Sequence, residues 1–569
     1  MLSTIARVAG MAAALVLTAS AFALAETSAT PAAASKIAQT KPAPTATPFR
    51  AFTYSGFGRA YYFTRQNASN NPGTQFNFST NKCVSGGNCV NQASFESAVD
   101  FHADYNFQNT PWSVGGSYFY AQPFSGACSV ASQHRKGLPC VSQIPPNTNP
   151  DDTLPGFMMS TFPEAYLAFN TADFHGKIGD QLFTSPWAAP YDGTRVKPAA
   201  YQGADFAYTL NNTPNSAWNF ELADMIQFQN RTSNTFQSNT LLTSFPAGGG
   251  GMASNIVQPG CLSSTCAGIS TPGFFYGKVG YGSSAGNPWT VDGYFYGVSQ
   301  IVNMYWGDAK YSFAPKMMWN PYVALQGGWE SNTGPSVIGK IRSSDFGLQL
   351  GANATKNVLV TAGFDSIPWN YDNVFLPGGA TCSASTHQIT AGTKVNPPVN
   401  FAYFLPLNAA QCQTNKATGL TQIAYGGWAS PYTDNYATDP FFTSSISQGM
   451  ADRRSPGTSF KIAGQYTSNN RRWVFIATDA WYNYGNSIAG QNTNEWDLDG
   501  TYRFSNVQPH AHYKGLALRY RYMQRSQTNT FYCAGGSPCP AGQSATAPAA
   551  YLGGVPLFKY NRAQVEYDF

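Results

Sequence analysis

Leu-Phe-Lys-Tyr-Asn-Arg-Ala-Gln-Val-Glu-Tyr-Asp-Phe, residues 557–569, closes the chain. Read with a period of two, Ala563, Val565, Tyr567 and Phe569 share one face, and Arg562, Gln564, Glu566 and Asp568 share the other. Successive side chains of a strand point to opposite faces. One apolar side, one charged side and an aromatic last residue suit the final strand of an outer-membrane β-barrel, where lipid meets one face and a watery lumen the other. An edge strand of a secreted sandwich shows the same alternation, so the rest of the chain decides.

The pattern recurs. In Ala93–Phe107, Phe95, Val99, Phe101, Ala103, Tyr105 and Phe107 face one way, and Glu96, Asp100, His102, Asp104 and Asn106 the other. A helix would scatter these residues round its circumference. The same reading predicts strands at 52–64, 93–107, 111–122, 161–170, 174–183, 203–211, 217–229, 272–283 and 289–300. Nine more follow at 306–314, 319–330, 343–353, 357–366, 457–468, 471–484, 494–505, 514–525 and 557–569. The eighteen strands are joined by tight turns at 107–111, 170–174, 212–216, 354–357 and 469–471. Between these lie long loops near 65–92, 123–160, 184–202, 230–271, 367–456 and 526–556. Short turns at one end and long loops at the other are the asymmetry of an outer-membrane barrel. The expected fold class is therefore all-β, a transmembrane antiparallel β-barrel of eighteen strands.

Composition agrees. The chain is 15% aromatic and 11% charged, with 54 glycines and a mean hydropathy of -0.26. An ordinary domain is about 25% charged. Aromatic-rich and charge-poor, yet not hydrophobic on average, describes a chain that alternates its faces and turns often. Arg7 followed by the charge-free stretch Val8–Ala25, ending Ala23-Leu24-Ala25, reads as a signal peptide over 1–25, with Glu26 as the expected mature start and Ala19-Ser20-Ala21 as a second possible cleavage site. Residues 26–50 form an Ala/Thr/Pro-rich flexible lead, and 51–569 the barrel. Removing Arg7 from the 33 basic residues leaves 32 against 28 acidic ones, a balance of +4 too weak for a nucleic-acid binder of this size.

Few motifs carry chemistry. Gly282-Ser283-Ser284-Ala285-Gly286 fits a nucleophile elbow, but that motif needs a helix after it, and Trp289–Ser299 reads as a strand. The six histidines form no metal motif, and the glycine run 248–251 precedes no helix. Ten cysteines fall in neighbouring pairs, each within a predicted long loop, with no CxxC spacing to suggest zinc. Behind a signal peptide, disulfides are the default. The expected pairs are Cys83–Cys89, Cys128–Cys140, Cys261–Cys266, Cys382–Cys412 and Cys533–Cys539.

Two stretches are more specific. One runs Lys177-Ile178-Gly179-Asp180-Gln181 through Pro186, Asp192, Arg195 and Pro198 to Tyr201-Gln202-Gly203. The other runs from Asn494-Glu495-Trp496-Asp497-Leu498-Asp499 to Lys514-Gly515-Leu516-Ala517-Leu518-Arg519-Tyr520-Arg521-Tyr522. Together they resemble the OprD-type porins, with their Gly-x-Gln strand end, proline-bounded Asp/Arg loop and late Lys-Gly-Leu-x-x-Arg-x-Arg strand. The sequence departs from that pattern in placing Gly193-Thr194 between Asp192 and Arg195, and in a longer loop before Gly457. The resemblance implies a narrow channel, a basic ladder that guides carboxylates, and an acidic side at the constriction.

The charged residues support such a lining on their own. On the strand after Lys514, Leu518, Tyr520 and Tyr522 alternate with Arg519, Arg521 and Met523, with Arg525 following. A lipid-facing arginine costs about 2–4 kcal/mol at the midplane, so these arginines are expected inside. Arg503 and, between Phe460 and Ile462, Lys461 join the candidate substrate path. The alternative is that Glu495, Asp497 and Asp499, one strand away, neutralise part of the ladder as cross-strand ion pairs. Asp192, Arg195 and Lys197 are candidates for a constriction loop stiffened by Pro186, Pro190 and Pro198.

The sequence thus points to a passive, partly selective channel for small polar solutes such as carboxylates or amino acids, placed in the bacterial outer membrane. No enzyme, cofactor or metal is implied. The expected partners are outer-membrane lipid and small polar or anionic solutes, with a homo-oligomer allowed and nucleic acid excluded. The rivals are a secreted all-β enzyme or carbohydrate-binding protein, and a barrel adhesin acting through its loops. Non-reducing peptide mapping is expected to find five disulfides, each internal to one loop; cross-loop links or several free thiols would contradict this topology.

Overall fold

The computed structural model describes residues 51–69, 76–77, 82–83, 89–125, 158–188, 196–213, 216–229, 233–236, 273–282, 287–299, 301–333, 341–374, 381–382, 389–390, 411–414, 421–428, 440–446, 449–453, 456–484, 493–505, 514–527 and 557–569. Their dominant feature is an 18-stranded antiparallel sheet closed on itself. We number its strands β1 (Phe52–Ser69), β2 (Cys89–Asn106), β3 (Trp112–Ser125), β4 (Met159–Asn170), β5 (Phe174–Gln181), β6 (Ala200–Thr213), β7 (Ser216–Gln229), β8 (Phe274–Tyr281) and β9 (Trp289–Val298). The ring continues with β10 (Val302–Ser312), β11 (Tyr322–Asn332), β12 (Arg342–Thr355), β13 (Val358–Ile367), β14 (Gly457–Thr467), β15 (Trp473–Tyr484), β16 (Thr493–Arg503), β17 (Gly515–Gln527) and β18 (Leu557–Asp568). Each expected strand has its counterpart. A short helix, α1 (Met450–Arg453), precedes β14.

Closure is made by the first and last strands, paired from Phe57↔Asp568 to Gln66↔Lys559. Phe569 extends the seam by one rung: its N–H donates to the Gly56 carbonyl at 3.0 Å, and the Gly56 N–H donates back at 3.3 Å. A closed ring leaves no edge whose backbone groups would face hydrocarbon unpaired.

The two faces separate as the alternation requires. Val99, Phe101 and Tyr105 are exposed on the outside of β2, while Glu96 and Asp100 are buried on the inside. On β18, Val565 and Tyr567 are exposed and Arg562 and Gln564 buried. Aromatic rings pair across strands on the outer face near the short-turn end, as in Trp289–Tyr311 at 4.3 Å and Trp473–Tyr502 at 4.4 Å. Such pairs contribute roughly 0.2–1 kcal/mol each.

One departure concerns the long-loop end. Only residues 299–301 separate β9 from β10 there, and Ile301 is fully buried. A second lies within 367–456, which sequence reading treats as exterior loop. Asn370–Val374, Thr421–Tyr425 and Gln411–Thr414 form a separate three-stranded sheet, but residues 426–428 and 440–446 enter the barrel, as described next. The lead 1–50, Asp192 and Arg195, and six cysteines (Cys128, Cys140, Cys261, Cys266, Cys533 and Cys539) lie outside the described residues.

Candidate functional site

The lumen is not an open cylinder. Described parts of two connections fold into it, 182–188 and 196–199 between β5 and β6, and 426–428 and 440–446 between β13 and β14. In the first, Ser185 and Ala188 close a tight turn, the Ser185 N–H donating to the Ala188 carbonyl at 2.8 Å. The turn holds Trp187 against inward side chains of β9 and β10. Its backbone N–H donates to the Tyr296 hydroxyl at 3.2 Å, and its ring lies 5.1 Å from that of Trp306. Further along, Val196 is buried in a cluster with Tyr61, Phe119, Met523 and Tyr560. Those residues belong to β1, β3, β17 and β18. Counted round the ring, β1 and β10 are half a circumference apart, so the described ends of this connection rest on opposite walls. Lys197 is 1% exposed, donates to the Pro198 carbonyl at 2.9 Å, and is close enough to Asp100 to act on its charge.

The second connection is seated by charged wall residues. Asp365 of β13 accepts hydrogen bonds from the Thr443 N–H at 2.8 Å, the Thr443 hydroxyl at 2.7 Å and the Gln326 amide at 2.7 Å. Lys461 of β14 donates to the Ser444 carbonyl at 2.7 Å, and Asp497 of β16 accepts from the Ile446 N–H at 3.2 Å. The Tyr482 hydroxyl donates to the Thr443 carbonyl at 2.6 Å. Two wall glycines lie under the segment. A Cβ on Gly363 would meet Phe442 at 3.1 Å, and one on Gly328 would meet the Tyr305 carbonyl of the next strand at 2.2 Å and the Trp428 ring at 3.0 Å. Trp187 then joins the two connections, its ring 5.2 Å from Trp428 and 5.4 Å from Phe441.

Around these segments the wall is charged in two arcs. One arc is basic. Asp499 of β16 receives Arg519 through Nη2 at 2.6 Å and Arg521 through Nε at 2.5 Å. Arg562 of β18 stands beside Arg521 in register, and its guanidinium lies 5.1 Å from the Tyr61 ring centroid. Arg59 of β1 pairs with Glu566 at 2.8 Å. Arg525, also inward, faces Glu495 in register. Of the ion-paired arginines here, Arg519 is the most accessible, its side chain 25% exposed against 10% for Arg521 and 3% for Arg59.

The other arc, on β2–β10, is mainly acidic. His102 bridges Glu164 at 2.9 Å and Asp104 at 3.0 Å, and the Tyr166 hydroxyl donates to Asp104 at 2.8 Å. Farther round, Lys278 lies between Glu221 at 3.4 Å and Asp292 at 3.6 Å. Among the described residues no group of three or more His, Cys, Asp or Glu is placed to hold a metal ion.

The sequence-predicted ladder is therefore brought together in part. Arg519, Arg521 and Arg525 share the basic arc. Arg503 lies at its short-turn end, where its guanidinium donates to the Arg471 carbonyl at 3.5 Å. Lys461 points inward as expected but is buried against Ser444. Sequence reading missed Arg59 and the seat for 426–428 and 440–446. The traces it left are modest: two glycines in alternating strands, and the run Phe441-Phe442-Thr443-Ser444-Ser445, which matches apolar and hydroxyl groups to an interior.

Comparison with known proteins places this architecture. No protein-family model matches the chain, and no curated protein does. Among solved structures it is similar to a BenF-like porin from Pseudomonas fluorescens Pf-5, with a TM-score of 0.54 at 11% identity over 91% of this chain and 98% of that one. It is also similar to Pseudomonas aeruginosa OpdK, solved with vanillate, with a TM-score of 0.51 at 12% identity over 91% and 98%. Pseudomonas aeruginosa OccK2 in complex with glucuronate gives 0.52 at 11% over 91% and 98%.

Replacing Asp365 with Ala removes three acceptor contacts from a buried site, at about 1–3 kcal/mol for the groups left unpaired. The expected outcome is a larger and noisier single-channel conductance, with heat-modifiable gel migration unchanged; Asp365→Asn, which keeps one acceptor oxygen, is expected to fall between. Identical traces for all three proteins would show that Asp365 does not hold the segment. With the wall, the two inward connections and the similar solved structures in view, the chain has the fold of the eighteen-stranded outer-membrane porins of OprD type.

Proposed function

We propose that the protein is an OprD-type outer-membrane channel through which small carboxylates and zwitterions diffuse passively. The observation that carries this reading is a closed ring whose lumen has a basic arc on β16–β1 and a mainly acidic arc on β2–β10. Charge of both signs across a narrow aqueous path orients a solute that carries both, and rings of charged side chains are a known basis of selectivity. OpdK and OccK2, solved with vanillate and glucuronate, support carboxylates as the solute class.

Within this reading the arginines differ in role. Asp499 offsets one unit of the charge that Arg519 and Arg521 bring, so the pair retains a net positive charge toward the lumen. Arg519 is the best placed of the ion-paired arginines to meet a solute, by its accessibility. Lys461 serves as a clamp on Ser444 and belongs to the seat rather than to the solute path. The anchoring of Trp187 and Val196 on opposite walls supports Asp192, Arg195 and Lys197 as the constriction loop. The five intraloop disulfides remain part of the reading, as braces of the exterior.

Two experiments in planar bilayers test it. The Arg519→Ala/Arg521→Ala double variant is expected to lose anion preference in a salt gradient, and Asp499→Asn to gain it, with folding nearly intact. Unchanged reversal potentials in both would mean that the ion pairs only stiffen the wall. Separately, deleting residues 191–197 is expected to raise single-channel conductance and weaken discrimination between solutes. A correctly folded deletion variant with wild-type conductance would remove the constriction loop from the proposal and leave selectivity to the wall.

A further inference from the structure

The short-turn end of the barrel carries a charge asymmetry that permeation does not use. Four consecutive turns, 313–321, 356–357, 468–472 and 504–514, contain Lys316, Lys356, Arg471, Arg472 and Lys514 and no aspartate or glutamate. The other four, 107–111, 171–173, 214–215 and 282–288, contain no lysine or arginine and one acid, Asp173. Half of these turns thus carry bases and no acid; the rim also includes the seam, where Asp568 stands in register with Gly515.

The basic half is continuous, because each turn leans on the next. Asn353 at the end of β12 donates through its N–H to the Trp319 carbonyl at 2.8 Å and through its side chain to the Met318 carbonyl at 3.0 Å. The Thr467 N–H, at the end of β14, donates to the Asn357 carbonyl at 3.1 Å. The Arg503 N–H, at the end of β16, donates to the Arg472 carbonyl at 2.7 Å, and the Arg472 guanidinium returns a bond to the Arg503 carbonyl at 3.1 Å. The bases keep their charge unmatched. Arg472 donates to a carbonyl and to the Tyr502 hydroxyl, and none of the five is ion-paired to a described carboxylate.

Exposed apolar side chains stand beside the bases at two of these turns. Phe313, Met317, Met318 and Trp319 flank Lys316 and are 52–60% exposed, and Trp473 follows Arg472. In a barrel wall the last exposed aromatic residues mark the edge of the hydrocarbon, and cations just beyond them stand at the level of the phosphates. A soluble acidic partner would explain the charge but not the apolar collar that accompanies it.

We propose that the rim from β10 to β17 binds anionic phospholipid headgroups of the leaflet that borders the short turns. The inference rests on the membrane-barrel reading above but not on conduction, so lipid preference and conductance are separate readouts. The test uses the full chain reconstituted in phosphatidylcholine bilayers with spin-labelled phosphatidylglycerol or phosphatidylcholine as probe. The wild type is expected to select the anionic probe, and the preference to collapse at high salt, where surface charge is screened. Lys316→Gln/Lys356→Gln/Lys514→Gln, which leaves every described hydrogen bond of the rim in place, is expected to lower the preference about twofold. Adding Arg471→Gln and Arg472→Gln is expected to abolish it, with conductance per channel unchanged. Equal association of both probes with the wild type, or a preference that survives in the triple and quintuple variants, overturns the proposal. So does salt-resistant selection, which would mark a stereospecific pocket elsewhere.

Discussion

Everything in this molecule depends on the seam between β1 and β18. A backbone N–H or C=O left unpaired in hydrocarbon costs several kcal/mol, so a sheet that spans a bilayer has to close. The rungs from Phe57↔Asp568 onward, completed by the mutual bonds of Gly56 and Phe569, achieve closure. Once the ring exists, each strand has a lipid side and a lumen side, and a side chain's chemistry follows from its parity along the strand. Gln564 can be buried next to exposed Val565 in sequence because the two belong to different solvents.

This explains why the wall was legible in the sequence. Parity is a local signal, and the charged and aromatic residues of 93–107 and 514–525 declare it without knowledge of neighbours. Turn positions are local too. What parity does not reveal is which residues on the inner face meet each other or what else fills the lumen. Asp365 reads as one more inward carboxylate, and Thr443 as part of a loop; only the fold brings them together, 78 residues apart along the chain. Parity reads Lys461 as inward, and its partner there is a backbone carbonyl. Of the basic arc, the arginines on β17 stood out because all three, at 519, 521 and 525, fall on one parity. Arg59 did not, because the other arginine of its strand, Arg65, stands too far along it to make a repeat, and Arg59 becomes part of the arc only when β1 meets β18.

The lumen therefore obeys two kinds of physics. Near the inward connections it is a packed interior, with Trp187, Trp306, Trp428 and Phe441 forming edge-to-face and tilted ring contacts of the sort found in soluble cores. Along the basic and acidic arcs it is a polar surface of paired and partly paired charges. The first fixes geometry and the second sets the electric field inside the ring. The two overlap at the seat, where Asp365, Lys461 and Asp497 hold the inward segment with charged groups while Gly363 makes room for it.

The interlock at Trp187 has a consequence for biogenesis. Trp187 and its partners Trp428 and Phe441 are more than two hundred residues apart in the chain, and the seam joins residues farther apart still, Phe57 with Asp568. Bringing such distant partners together costs loop-closure entropy, which the strands between them reduce as they pair. A chain that stops short of Phe441 can therefore build hairpins but neither the seam nor the interlock, so the ring and its filling both wait on the last third of the sequence.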